Sequence, residues 1–109
     1  MTMNDEPRPR IIHELKTWPE FFQQTLNGRK KFELRRNDRD FRVGDELLLK
    51  EWDPAKLNPG STTGMRYYTG RSLLVRVDYI MTAPDVAKFG YRGISPIDRD
   101  YVIMSVSLV

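Results

Sequence analysis

The sequence predicts a small α+β domain that is mainly β, with one or two helices and an antiparallel, barrel-like sheet. Three observations support this fold class. Five segments have the alternation or the apolar density of strands, one helical segment lies near the N-terminus, and helices do not alternate with strands along the chain. At 109 residues the chain fits a single domain that can bury an ordinary core.

The N-terminal residues differ in composition from the rest. Residues 1–9 are polar and contain two prolines, so we expect a flexible lead-in before one domain spanning residues 10–109. They contain no apolar core for a signal peptide, and no run of the chain approaches membrane-spanning length. The absence of cysteine excludes disulfides and thiolate zinc sites. We therefore expect a cytoplasmic protein without a cofactor or a membrane association.

Two elements are predicted before the first glycine. Residues 11–16 alternate in type, as a short strand does. Thr17 and Glu20 have the spacing of a capping box, which predicts a helix over residues 18–27 that ends at Gly28. The apolar residues of this helix recur at the spacing of one buried face: Trp18, Phe21, Phe22, Thr25 and Leu26.

A second and a third strand are predicted after the helix. In the second strand, over residues 31–35, Phe32 and Leu34 point to one side, and the other face carries charged side chains. Residues 37–40 form a turn, and the third strand covers residues 46–52. Residues 47–49 are a continuous leucine run, which predicts burial on both faces, as a barrel allows.

The second half of the chain is predicted to contain two strands and two long loops. Residues 71–81 show the clearest alternation, and residues 101–109 close the chain as a strand. The loops cover residues 53–69 and 82–100, and the second loop has one helical turn near residues 85–89. Long loops in small compact domains are usually functional or disordered.

Positive charge is concentrated between residues 29 and 42. Seven basic and three acidic residues give this stretch a net charge of +4. The rest of the chain has a net charge of −1, so the whole chain has +3. Such a concentration makes a local positive field that attracts phosphate. The expected partner is a polyanion or a ligand that carries a phosphate, although a solvated basic face gives the same pattern.

A recognisable motif lies at the junction of the predicted helix and the second strand. Gly28, Lys30, Glu33 and Arg35 reproduce the pattern G-x-K-x-x-E-x-R. With its surroundings over residues 10–109, this pattern resembles the ASCH domains of the PUA-like superfamily, in particular a bacterial and phage branch described as a domain of unknown function. The resemblance implies a small β-barrel with an RNA-binding cleft, in which the motif strand and the preceding helix line one wall.

The charges and the resemblance together predict a module that binds RNA or a nucleotide. Arg35 offers a forked donor and Lys30 a point charge for a phosphate or a base edge. Glu33 lies on the same face as Arg35, and an ion pair that orients Arg35 is the alternative interpretation. Tyr68 and Trp52 offer rings for stacking, although aromatic residues at strand ends are usually core. The predicted nucleic-acid-binding residues are Lys16, Lys30, Glu33, Arg35, Arg36, Asn37, Arg39 and Tyr68.

An enzyme is the alternative function. ASCH relatives include amidohydrolases that act on acetylated cytidine, with a lysine at the position of Lys30 and a nucleophilic threonine at the position of Glu33. Here the threonine is absent, so Lys30 and Glu33 would be the catalytic residues, with the carboxylate as general base toward water. Ribonuclease activity also occurs among ASCH relatives. His13, the only histidine, is expected to pack on the first strand, with proton transfer as the alternative and no metal site.

Overall fold

The computed structural model of the protein describes residues 9–55 and 67–109. Within them, five strands form one sheet that curls into a half-barrel: β1 (Ile12–Thr17), β2 (Phe32–Arg36), β3 (Glu46–Trp52), β4 (Tyr68–Thr82) and β5 (Tyr101–Leu108). The helices are α1 (Pro19–Leu26), α2 (Ala83–Ala87) and one 3₁₀ turn at Tyr91–Gly93. The mainly β, α+β fold class is confirmed. Residues 1–8 of the lead-in predicted over residues 1–9 lie outside the described residues, as do residues 56–66 of the first predicted loop.

The sheet has the strand order β1-β3-β4-β5-β2. β3, β4, β5 and β2 are antiparallel to their neighbours, but β1 pairs with β3 in parallel, from Ile12 opposite Glu46 to Thr17 opposite Glu51. The sheet is therefore mostly antiparallel, as predicted, and β1 with β3 is its one parallel pair among the described residues. α1 and β2 lie between β1 and β3 in the chain, and a connection of this length can return the chain in the same direction. The two edge strands, β1 and β2, border a gap that we call the seam.

The core lies inside the half-barrel and is built from alternate residues of the strands. Leu47, Leu49 and Val75 are fully buried, and Leu48 is only half-buried, so the predicted burial of both faces of β3 is partial. The other core residues are Leu15, Phe22, Phe41, Val77, Val102, Met104 and Val106. In β5 the predicted inward alternation holds as far as Val106, whereas Leu108 is half-exposed near the strand end.

α1 begins one residue later than the capping-box prediction. Trp18 is its N-cap and Pro19 its first residue, whereas Thr17 is the last residue of β1. The Thr17 hydroxyl accepts a hydrogen bond from Arg35 across the seam. This side chain therefore contacts β2 and does not cap the helix, whereas the sequence pattern predicts that it does. The helix ends as predicted, with Asn27 as C-cap and Gly28 at a φ of +77°.

The buried face of α1 is narrower than the apolar spacing predicts. Only Phe22 and Thr25 are buried, and Phe22 enters the core. Trp18, Phe21 and Leu26 each keep between two-fifths and about half of their surface exposed. The helix therefore presents an apolar surface outside the core, next to the seam.

Two boundaries differ in the second half of the chain. β4 begins at Tyr68, which pairs with Trp52, so this tyrosine lies in a strand and not in the predicted loop. α2 begins at Ala83, two residues before the predicted helical turn. Oδ2 of Asp85 accepts hydrogen bonds from the backbone N–H and the hydroxyl of Thr82, each at 2.9 Å. These hydrogen bonds lower the pKa of Asp85 and fix the start of the helix.

Candidate functional site at the seam

A buried carboxylate with two cationic partners lies on β2. Glu33 is 2% exposed and faces the interior of the half-barrel. Its Oε2 is 2.5 Å from Nζ of Lys30, and its Oε1 accepts a hydrogen bond of 2.9 Å from Nε of Arg35. A buried carboxylate needs such partners because desolvation without them is costly. The predicted alternation of β2 is confirmed, and the charged face is the inner one, while Phe32 and Leu34 are half-exposed.

Arg35 also bridges the seam. Its Nη1 donates to the backbone carbonyl of Lys16 at 3.0 Å, and its Nη2 donates to Oγ1 of Thr17 at 3.2 Å. All three nitrogens of the guanidinium group therefore donate hydrogen bonds within the protein, two of them to β1. The ion pair with Glu33, which was the alternative interpretation of the motif, is observed, and Arg35 joins the two edge strands.

A cavity of about 600 Å³ opens beside this cluster, between α1 and β2. We call it the aromatic cavity, because its walls are the half-exposed side chains of Trp18, Phe21, Phe32 and Leu34. The polar residues that line it are Lys16, Thr17, Gln24, Arg29, Lys30, Glu33 and Arg35. Its volume lies in the range of small-molecule sites, which combine apolar walls with a few polar groups. Two of the three large apolar side chains that α1 leaves outside the core, Trp18 and Phe21, thus line a cavity.

A second cavity, of about 490 Å³, adjoins the first and shares Lys16 and Arg35 with it. We call it the basic cavity, because five of its lining residues are cationic: Lys16, Arg35, Arg36, Arg39 and Lys50. Glu14 and Asp38 are its two acidic lining residues, and Leu15, Phe41 and Tyr68 complete the lining. The positive field predicted from residues 29–42 is therefore focused in a concave surface.

Lysine side chains cover aromatic rings at the border of the two cavities. Nζ of Lys16 lies 4.9 Å from the centre of the Trp52 ring, and Nζ of Lys50 lies 4.8 Å from that of Tyr68. Trp52 also contacts the rings of Trp18 and Tyr67 edge to face, at 6.1 and 5.6 Å. At least one face of Trp52 and of Tyr68 is thus occupied, and the more open rings are those of α1 and Phe32.

Seven of the eight predicted binding residues line one or both cavities. The exception is Asn37, whose Oδ1 accepts a hydrogen bond from the Phe41 backbone and whose own N–H donates to the Asp100 carbonyl, so it shapes the turn after β2. Sequence reasoning missed Trp18, Phe21 and Phe32 as cavity walls, because it assigned the helical pair to the core. The available signal was their closeness in sequence to the motif.

His13 lines neither cavity. It is buried, its Nε2 is 2.9 Å from Oδ2 of Asp45, and its ring meets Phe41 edge to face at 4.9 Å. Oδ2 of Asp45 also accepts a hydrogen bond from the Arg42 backbone. The expectation that His13 packs on the first strand is confirmed, and the arrangement does not bring it to Lys30 and Glu33.

Arg71 forms a separate cluster on the other side of α1. Its guanidinium group hydrogen-bonds both carboxylate oxygens of Glu51, at 3.0 and 3.1 Å, and Oε1 of Gln23 at 3.2 Å. The hydrogen bond with Glu51 raises the pKa of Arg71. The same group lies over the Phe22 ring at 4.8 Å, so Arg71 ties α1 to β3 and β4.

In residues 9–55 and 67–109, no three His, Cys, Asp or Glu side chains come together in a way that would hold a metal ion. No helix in the same residues has the length and apolar character needed to cross a membrane.

Comparison with known proteins places the chain in a family. The family described as "Domain of unknown function (DUF3850)" matches residues 12–106, from the first residue of β1 to within β5. The chain belongs to this family. The DUF3850 match includes every residue that lines the two cavities. A stretch of 41 residues is also 44% identical to "Uncharacterized 12.9 kDa protein in GpA 3'region" of Escherichia phage P2, and it covers 38% of each protein.

Proposed function

We propose that this DUF3850 domain binds RNA or a nucleotide at the seam, and that it is an ASCH domain of the PUA-like superfamily. One observation carries the proposal: an aromatic cavity adjoins a basic cavity, and the two share Lys16 and Arg35. Proteins that bind single-stranded nucleic acid combine the same two features, because bases stack on aromatic rings while cations follow the phosphates.

The aromatic cavity has the chemistry to hold one base. Phe21 and Phe32 are each about half-exposed on its walls, and a base stacked on such rings contributes about 1–3 kcal/mol. The polar cluster offers hydrogen-bond donors to a base edge. Lys30 and Arg35 line the cavity, and each has more N–H groups than its hydrogen bonds within the protein use.

The ASCH assignment is supported by how the motif is placed. The G-x-K-x-x-E-x-R segment runs from the end of α1 into β2, and both elements contribute walls to the aromatic cavity. The resemblance implies a cleft lined by the motif strand and the preceding helix, and a cavity lined by these two elements supports the assignment.

Binding of a fluorescent single-stranded RNA of ten nucleotides, followed by anisotropy at several salt concentrations, tests the proposal. If three or four phosphates are neutralised, log affinity falls against log salt with a slope of about −2 to −3. Phe21→Ala removes a half-exposed ring, so it should weaken binding about tenfold without a large loss of stability.

Lys88→Gln is the matched control for surface substitution. Lys88 is exposed at the end of α2 and lines neither cavity, so its loss should change affinity less than twofold. Binding that does not respond to salt, or that Phe21→Ala leaves unchanged, would reject the seam as the site.

A hydrolase acting on an acylated nucleobase or on RNA is the second candidate. The observation that favours it is the 2.5 Å contact between Nζ of Lys30 and Oε2 of Glu33 in the lining of the aromatic cavity, where a proton donor and a carboxylate adjoin. Each Glu33 oxygen already accepts a hydrogen bond from a cation, and Lys30 also donates to the Phe32 carbonyl. These contacts favour a role for the cluster in holding the site in shape.

A further inference from the structure

We infer that the basic cavity is a phosphate subsite, and that the ligand of the domain is a single strand of RNA whose backbone crosses the seam while one unpaired base occupies the aromatic cavity. This inference rests on the proposed function and specifies the ligand class. It follows from four features of the basic cavity: its charge, the orientation of its arginines, the placement of its lysines and its junction with the aromatic cavity.

The charge of the basic cavity favours an anion. Five cationic and two acidic side chains line it, which leaves a net positive charge of three in one concave surface. Both acidic residues are exposed, and Oδ1 of Asp38 lies 3.9 Å from Nε of Arg39. A concave surface with this balance focuses the positive potential where a phosphate would enter.

Two of the three arginines of this cavity are held in place by the backbone of β1. Nη1 of Arg39 donates to the Glu14 carbonyl at 2.8 Å, and Nη1 of Arg35 donates to the Lys16 carbonyl at 3.0 Å. These carbonyls are two residues apart, so they lie on the same edge of the strand. Both guanidinium groups are therefore oriented before a ligand arrives, which lowers the entropic cost of binding.

Arg39 is the side chain best suited to donate to a phosphate. Among the residues that the structure describes, its one hydrogen bond is to the Glu14 carbonyl, and a guanidinium group has five N–H donors. Arg35, by contrast, also holds Glu33 and Thr17. Nη2 of Arg39 is thus available for the bidentate geometry that arginine forms with phosphate oxygens.

Two lysines add positive charge at fixed positions. Lys16 and Lys50 lie over the rings of Trp52 and Tyr68, with Nζ within 5 Å of each ring centre. The electrostatic attraction between an ammonium group and the face of an aromatic ring holds each of these lysines in place. Lys16 lines both cavities, so its ammonium group lies where a ligand passes from one cavity to the other.

The junction of the cavities sets the kind of nucleic acid. Because both cavities share Lys16 and Arg35, a base in one and a phosphate in the other belong to the same stretch of backbone. A base that enters the aromatic cavity leaves its stack and its pairing partner, and this costs free energy in a duplex but little in a single strand. The site therefore selects a single strand over a duplex.

Three nucleic-acid probes, each ten nucleotides long, separate the two subsites. They are a single-stranded RNA of mixed sequence, the duplex of that RNA with its complement, and an abasic strand that carries only sugar and phosphate. Arg39→Gln should weaken binding of the RNA and of the abasic strand by about the same factor, near tenfold, because it removes a phosphate contact. Phe21→Ala should weaken binding of the RNA alone. The duplex should bind at least about tenfold more weakly than the single strand. Lys88→Gln serves again as the control.

The outcomes distinguish this inference from the proposed function. Equal affinity for the duplex and the single strand would overturn the single-strand selectivity. An Arg39→Gln variant that binds the abasic strand as tightly as the wild type does would overturn the phosphate subsite. A wild type that binds RNA and the abasic strand equally, with no effect of Phe21→Ala, would overturn the base-binding function and leave the phosphate subsite standing. A wild type that binds none of the probes would overturn both.

Discussion

Arg35 donates a hydrogen bond from Nη1 to the backbone carbonyl of Lys16, 3.0 Å away, and so joins the two edge strands of the half-barrel. The same side chain holds the buried carboxylate of Glu33 through Nε. One guanidinium group thus connects the motif of β2 to β1 where the backbones of these strands do not pair. Because of this double role, Arg35 variants will change stability as well as binding.

Arg35→Met is expected to lower the free energy of unfolding by about 2–3 kcal/mol, because Glu33 stays buried with Lys30 alone and the bridge to β1 is lost. Urea unfolding measures the change. Arg35→Lys should recover less than half of it, since an ammonium group cannot reproduce three directed hydrogen bonds. Arg36→Met, at the exposed neighbouring residue, should change the free energy by less than about 0.5 kcal/mol. Equal effects at the two residues would contradict the bridging role.

His13→Ala is expected to destabilise the fold by about 2–3 kcal/mol and to leave RNA affinity unchanged. The substitution removes a buried ring that contacts Phe41 and breaks the 2.9 Å contact with Asp45. Urea unfolding and RNA titration of the folded variant provide the two measurements. A lower affinity in the fully folded variant would bring His13 into the site and revive its proposed role in proton transfer.

The protein is expected not to release cytidine from N4-acetylcytidine. Under the ASCH assignment proposed above, Glu33 lies at the position of the nucleophilic threonine of the active amidohydrolases. Both oxygens of its carboxylate accept hydrogen bonds, from Lys30 and from Arg35. Incubation with the purified protein and chromatography of the products measures turnover.

If the wild type does turn over, Glu33→Gln should reduce the rate by about 10²- to 10⁴-fold while ligand affinity stays within a few-fold. Turnover by the wild type would show that the domain is a hydrolase and would contradict its assignment as a binding module. Turnover retained in Glu33→Gln would in addition reject the carboxylate as the base.

The start of α2 is expected to contribute to the pH dependence of stability. Hydrogen bonds from Thr82 hold the pKa of Asp85 below its usual range. The stabilisation is therefore fully present above the unfolded-state pKa of about 3.9, and it is lost as the pH falls through the lower, folded-state pKa. Urea unfolding from pH 5 to pH 2 should show a shallower loss of stability in Asp85→Asn than in the wild type. Parallel curves would show that the carboxylate has no such effect.

Local patterns in the sequence predicted much of the fold. β3 has the predicted bounds, Gly28 ends α1 in the left-handed conformation, and Glu33 lies on the same face as Arg35. Each of these features depends on residues close in sequence: a leucine-rich run, a glycine after a helix, and the period of a strand. Of the predicted binding residues, the charged ones and Tyr68 line the cavities, because they lie on a few neighbouring strand and turn segments.

The features that escaped prediction depend on contacts between distant segments. Thr17 has the spacing of a helix cap, but its hydroxyl accepts a hydrogen bond from Arg35, 18 residues later in the chain, and Thr17 is the last residue of β1. Phe21 has the spacing of a core residue, yet it lines a cavity, because Phe22 and Thr25 alone fill the space beneath the helix. The parallel pairing of β1 with β3 likewise depends on how far apart in the chain these strands lie.

The hydrogen bonds from Arg35 and Arg39 to β1 also affect the tendency of the protein to aggregate through the edge of its sheet. An open sheet has unpaired carbonyl and N–H groups along its edges, and such edges recruit strands from other molecules into aggregates. In β1 the carbonyls of Glu14 and Lys16 already accept hydrogen bonds from Arg39 and Arg35, and these bulky cations block the approach of another strand. The half-barrel can therefore leave its seam open to a ligand without exposing a template for edge-to-edge aggregation.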